Sequence, residues 1–241
     1  MKKFVTVIAA FTCIMLHAQT KQGTIIYERK IDVYRRLQDE QMKAMVPQFQ
    51  TANYELLFKD SISVYKPAPK DDAPDPFDGG GGNNIVMRFG GPGSDGILYR
   101  NFSSGKLLQQ TDLDDKKYVI NDTIQPMAWK LADETQTILN HVCKKATSAT
   151  QRGSKVIAWY AEDMPVPAGP ENFCGLPGAI LKVDIDSAGM VFTAQQIQPS
   201  ADSKELKEPA DGKQITRADF TKKLDEVLGP PDSQGRRIIR N

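Results

Sequence analysis

The sequence predicts a mainly β fold: a large curved antiparallel sheet, meander or half-barrel in form, with a carboxyl-terminal amphipathic helix packed on it. Three observations predict it. Short runs rich in Val, Ile, Tyr, Phe and Thr recur along the chain, separated by turn residues. Within these runs apolar and polar residues alternate with the period of two that a half-buried strand requires. The clearest stripe with helical spacing lies near the carboxyl terminus.

Lys2 and Lys3 precede an apolar run from Phe4 to Leu16, and small Ala18 stands before Gln19. This is the pattern of a secretory signal peptide, residues 1–18, cleaved after Ala18. The run is shorter than the roughly 20 apolar residues that span a bilayer, and Thr6 and Thr12 interrupt it. No transmembrane segment is therefore expected in the mature chain. Cys13 follows Ala10-Phe11-Thr12, a poor lipobox, so lipidation is not expected. Removal of residues 1–18 leaves 29 basic and 30 acidic side chains, and so balanced a charge offers no field to attract nucleic acid. Residues 19–241, in a chain 40% hydrophobic and 25% charged, suffice for a single β-rich domain.

The elements follow in order. Gly23 to Val33 reads as a first strand, and Leu37 to Val46 as a short helix ended by Pro47. Ala52 to Phe58 and Ser61 to Tyr65 read as strands joined at Lys59-Asp60. Residues 66–96 then hold five prolines, eight glycines and a cluster of aspartates, a flexible insertion within which Ile85 to Phe89 reads as a short strand. Its glycines lack the ending of a P-loop and its acids lack the spacing of a calcium loop. Gly96 to Phe102, Lys106 to Asp112 and Lys117 to Ile124 continue as a meander. Trp129-Lys130-Leu131 opens another strand, Ala132 to Gln136 is expected as a polar turn, and Thr137 to Ala146 and Lys155 to Ala161 follow as strands. Leu181, Val183 and Ile185 alternate with Lys182 and Asp184, and Met190 to Gln198 completes a hairpin. In the last helix Phe220, Leu224, Val227 and Leu228 form the apolar stripe, Thr216 and Asp219 resemble a capping box, and Gly229-Pro230-Pro231 stops it. Residues 230–241 are expected as a flexible tail.

One stretch has a more specific character. Asn172 to Ile185 runs through Gly175-Leu176-Pro177-Gly178 into a strand, and its Pro-Gly pair predicts a type II turn with positive φ at Gly178. Together with Trp129, Cys143-Lys144-Lys145-Ala146, Ala158-Trp159-Tyr160, Pro165, Gly169-Pro170 and Phe173, this resembles the signature of the GLPGLI family of exported bacterial envelope proteins. Ala179 departs from it, standing where the family has Leu. The resemblance implies export to the periplasm or outer membrane and assigns no reaction. As a rigid rim, Trp159, Pro165, Gly169, Pro170 and Phe173 would make a docking surface; as an architectural device, the turn sets strand register.

Chemistry-bearing residues are few. Cys143 and Cys174 remain after cleavage, and export to an oxidising compartment predicts a disulfide between them. His141 is then the sole histidine and shares a strand face with Cys143, the one arrangement resembling a thiol-dependent hydrolase. No Gly-x-Ser-x-Gly motif, paired carboxylates or metal-ligand spacing stands out, so no cofactor, no metal and no catalytic residue are expected. Asp60-Ser61-Ile62, Asp122-Thr123-Ile124 and Asp186-Ser187-Ala188 fit a short acceptor pattern for glycosylation. The function that fits is a non-catalytic binding or assembly module, with envelope or outer-membrane proteins as partners, or a carrier holding an apolar ligand on a concave sheet.

Overall fold

The structure is a computed structural model that describes residues 20–35, 37, 39–69, 96–150 and 152–230. The signal peptide, most of the Gly/Pro-rich insertion with its Ile85 to Phe89 strand, and all but the first residue of the tail lie outside the described residues.

The predicted β architecture is present. In chain order the strands are β1 (Gln22–Asp32), β2 (Phe49–Lys59), β3 (Ile62–Pro67), β4 (Ile97–Asn101), β5 (Lys106–Leu113), β6 (Lys116–Thr123), β7 (Lys130–Ile138), β8 (His141–Ala149), β9 (Lys155–Ala161), β10 (Ala179–Ile185), β11 (Met190–Gln198) and β12 (Lys213–Thr216). Helix α1 (Glu40–Met45) follows β1, and α2 (Arg217–Leu228) follows β12. All the strands belong to one open sheet in the order β12-β6-β5-β4-β3-β2-β1-β11-β10-β9-β8-β7. Every neighbouring pair is antiparallel except β12–β6.

Two elements differ from expectation. Ala132 to Gln136 is not a turn: it continues β7 through an irregularity between Leu131 and Thr135. The turn falls at Leu139-Asn140, where both residues take positive φ. Polarity misled here because β7 is an edge strand, largely exposed, with little need of apolar residues. Strand β12 was not anticipated, since its four residues are too short to show a period.

The core divides by sheet face. Ile25, Tyr27, Leu56, Phe58, Tyr65, Leu98, Leu107, Leu181, Ala161 and Cys143 belong to one cluster on the inner face. Farther along that face α2 seats Phe220 against Tyr118, Ile120 and Leu113. Its amino terminus is fixed by Arg217, whose Nε donates to Asp122 at 2.8 Å and whose Nη2 donates to Gln109 at 2.8 Å. On the outer face Val64, Tyr99, Leu108 and Val119 are covered by Leu206. Lys66–Glu205, Lys106–Glu208 and Lys117–Asp211 ion pairs fasten the 199–212 segment there.

Residues 162–178 form a strap between β9 and β10. Hydrogen bonds from Ala179 N to Met164 O and from Ile180 N to Ala168 O pin it to the start of β10. Its Cys174 and Glu171 act electrostatically on Arg100 of β4. Five strand spacings of about 4.8 Å separate β4 from β10, so the sheet curls and the strap reaches across its inner face.

Candidate functional site

The site is built on β1, β2, β3 and β4, whose register places alternate residues together. Tyr27 lies opposite Tyr54, Arg29 opposite Ala52, and Phe58 opposite Ser63. Ser63 lies in turn opposite Arg100, and Tyr65 opposite Leu98. Directly paired residues share a face, so Arg29, Tyr27, Tyr54, Ser63, Tyr65 and Arg100 all point inward.

Arg100 is 0% exposed, and none of its Nε, Nη1 and Nη2 atoms has a hydrogen-bond partner. Beside it the buried hydroxyls of Ser63 and Tyr65 are likewise without partners. Burial lowers the proton affinity of Arg100, while Cys174, Tyr65, Tyr27 and Glu171 oppose that effect. Burial pushes the Tyr65 phenol far above its ordinary range, with Glu171 adding to the rise. Tyr27 is raised by burial in the same way, and its hydroxyl donates to the Ile180 carbonyl at 2.7 Å. Both phenols are therefore neutral at physiological pH.

An aromatic and ionic series connects this interior to the surface. Tyr54 stacks on Tyr65 with centroids 5.3 Å apart and planes inclined by 9°. The Arg29 guanidinium lies 4.8 Å above the Tyr54 ring, where a cation is attracted by the π face. Arg29 Nη1 is 3.6 Å from Glu171 Oε1, and the Glu171 side chain is 31% exposed. Glu171 stands on the strap with φ of 45°, an uncommon conformation for a residue with a side chain.

The disulfide expected between Cys143 and Cys174 is not formed: both are free, buried thiols. Cys143 sits on β8 opposite Ala161, with Sγ directed at the His141 carbonyl at 3.6 Å. Cys174 is on the strap, bridged to Ala168, and its carbonyl accepts from Trp129 Nε1 at 2.8 Å. Burial pushes the Cys143 thiol up to about 11. It raises Cys174 too, against the lowering influence of Arg100. His141 Nδ1 contacts Asp163 Oδ2 at 2.7 Å, so the imidazole meets a carboxylate, while the neighbouring thiol turns to backbone. Among the described residues no group of three or more His, Cys, Asp or Glu side chains is placed to hold a metal.

The signature region has different geometry from the one its residues predict. Gly178 lies outside the positive-φ region, which is occupied instead by Gly175 at 92°, so no type II turn forms at Leu176-Pro177-Gly178-Ala179. Gly178 is needed for space: a Cβ there would run into the Ala161 carbonyl. Leu176 is buried in the second core cluster with Phe173, Tyr160 and Phe192, so Leu176 acts as an anchor and Gly178 as a close contact. Of the five rim residues, Gly169, Pro170 and Phe173 are buried, Trp159 is half-buried, and Pro165 is exposed. The three acceptor-like triplets all fall at strand ends or turns, where Thr123 and Ser187 are exposed.

Sequence reasoning had not singled out Arg100, Ser63, Tyr65, Arg29 or Glu171. A signal existed in Leu98-Tyr99-Arg100, which places an arginine two residues from Leu98, on the buried face of a strand whose ends are turns. Ser63 and Tyr65 share a face by the same alternation.

No helix among the described residues is long and apolar enough to cross a membrane. No curated protein matches the chain. Solved structures of PNGF-II in space groups C2 and P21 share the fold, with TM-scores of 0.57 and 0.58 at 14% identity. The similarity covers 83% and 85% of this chain but 32% and 33% of those chains, so this chain spans about a third of their length. A family model described as a protein of unknown function (Porph_ging) matches residues 148–182, from the end of β8 through β9 and the strap into β10. That stretch contains Gly175-Leu176-Pro177-Gly178, and the likeness, confined to these residues, is to a family of unknown function.

Proposed function

We propose that this is an exported, non-catalytic binding module of the bacterial envelope, and that it takes its ligand inside the curled sheet at Arg100. The observation that carries this reading is the buried, unpartnered guanidinium. A charge removed from water without hydrogen bonds costs several kcal/mol, and groups left so in a folded protein are a pointer to function. The amino-terminal pattern of Lys2, Lys3 and the Phe4–Leu16 run supports export. A thiol hydrolase finds less support: a nucleophilic cysteine needs its thiolate, and burial holds both thiols protonated.

Native mass spectrometry of the protein purified after export tests the reading. The expected result is a chain beginning at Gln19 that carries a small-molecule adduct, with the adduct lost in Arg100→Met. A bare chain, or an adduct unchanged in Arg100→Met, contradicts the site.

A further inference from the structure

We propose that the ligand taken at Arg100 is a small aliphatic carboxylate, an inference that rests on the binding reading and adds the chemical class. The unpartnered groups at this site, the Arg100 guanidinium, Arg29 Nε and the Ser63 and Tyr65 hydroxyls, can all donate. Arg100 presents five N–H bonds in a planar fork, and the Ser63 and Tyr65 hydroxyls each have a proton to give. Tyr27 is engaged with the Ile180 carbonyl, and Glu171 is drawn to Arg29 at the mouth. The complement of a fork, two hydroxyl donors and one positive charge is an anion with two coplanar acceptor oxygens, which is a carboxylate.

Charge and surroundings narrow the class further. Arg29 and Arg100 are both buried and Glu171 offsets one of the two charges, so the site keeps one net positive charge and a phosphate dianion would leave a second negative charge uncompensated in a sealed interior. Chloride is a single-point acceptor and does not match both prongs of the fork. Leu107 lies opposite Arg100, Leu98 opposite Tyr65, and Phe58 opposite Ser63, all buried apolar neighbours. These walls suit a short hydrocarbon part and offer nothing to a polar one. The polar atoms of the site are closed to solvent, so its ligand has to be a free acid small enough to be enclosed, not the carboxyl end of a protein. The Arg29–Glu171 pair, in which Arg29 is buried and the Glu171 side chain is 31% exposed, is the part of the enclosure that has to separate for entry.

Thermal unfolding of the exported protein, titrated with sodium acetate and sodium hexanoate, tests this. Acetamide, hexanamide and sodium chloride at matched ionic strength are the controls. The expected result is a melting temperature that rises and saturates with the carboxylates alone, hexanoate binding more tightly than acetate. Tyr65→Phe and Ser63→Ala should each weaken carboxylate binding about tenfold, a change that corresponds to one hydrogen bond to a charged group, without lowering the melting temperature of the ligand-free protein. Arg100→Met should abolish saturation; if it does not fold, the two hydroxyl variants decide. An absence of saturation, an equal response to chloride or amide, or undiminished binding in both hydroxyl variants overturns the proposal. An Arg100-dependent adduct in native mass spectra that carboxylates do not displace would sink the carboxylate class and leave the binding reading standing. Absence of both adduct and carboxylate response would remove both.

Discussion

Arg100 decides how the inner face behaves, because a buried charge with no partner opposes folding of the ligand-free protein. Exchanging it for an apolar side chain of similar length, Arg100→Met, should raise ligand-free stability by about 1–4 kcal/mol, read as a higher urea midpoint at unchanged slope. A fall would mean that the guanidinium has partners of its own. The cysteines behave as core residues. Iodoacetamide at pH 7.5 should leave Cys143 and Cys174 unmodified in the folded protein and modify both after denaturation without reductant; an unreactive denatured chain would restore the disulfide. Little of the site was legible residue by residue. A cysteine announces its chemistry by type, whereas Arg100 is distinguished only by burial, and an arginine on a short strand between turns is ordinarily read as solvated.

At the scale of elements, most strands were legible because alternation is a local property. Strands β1 to β6 and β9 to β11 fall where β-branched and aromatic residues alternate. Strand β7 was broken in the wrong place because an exposed edge puts no apolar demand on Ala132 to Gln136. The signature shows the same limit in a turn: the Pro-Gly pair fits a local rule, but contact with Ala161 decides what Gly178 is for. Gly178→Ala should destabilise by about 1–3 kcal/mol through overpacking, seen as a reduced urea midpoint, and an unchanged midpoint would show that β9 and the strap yield freely. Helix α2 was legible in its cap and its Phe220, while Val227 of the expected stripe is exposed. Thr216 Oγ1 accepts from Asp219 N at 3.1 Å, so Thr216→Ala should cost about 1 kcal/mol in the same assay.

For the whole molecule, the raised pKa values fix how stability depends on alkali. Tyr27 and Tyr65 ionise above the ordinary value of 10.0 in the folded state, and Cys143 near 11 instead of 9.0. Unfolded chains release these protons first, so the stabilisation is complete below pH 9 and is lost as pH rises from about 9 through 11 and beyond. The urea midpoint should therefore fall across that interval. The long-range arrangement was the least legible part, because pairing β1 with β11 and bringing the strap to Arg100 depend on residues far apart in sequence. That arrangement underlies the proposed receptor role of the interior, and the most direct test of it is the side-chain 1H–15N spectrum of arginine during an acetate titration. One exchange-protected Nε–H resonance, absent in Arg100→Met, should shift saturably with acetate; a resonance that stays in place, or follows ionic strength alone, would contradict binding at Arg100.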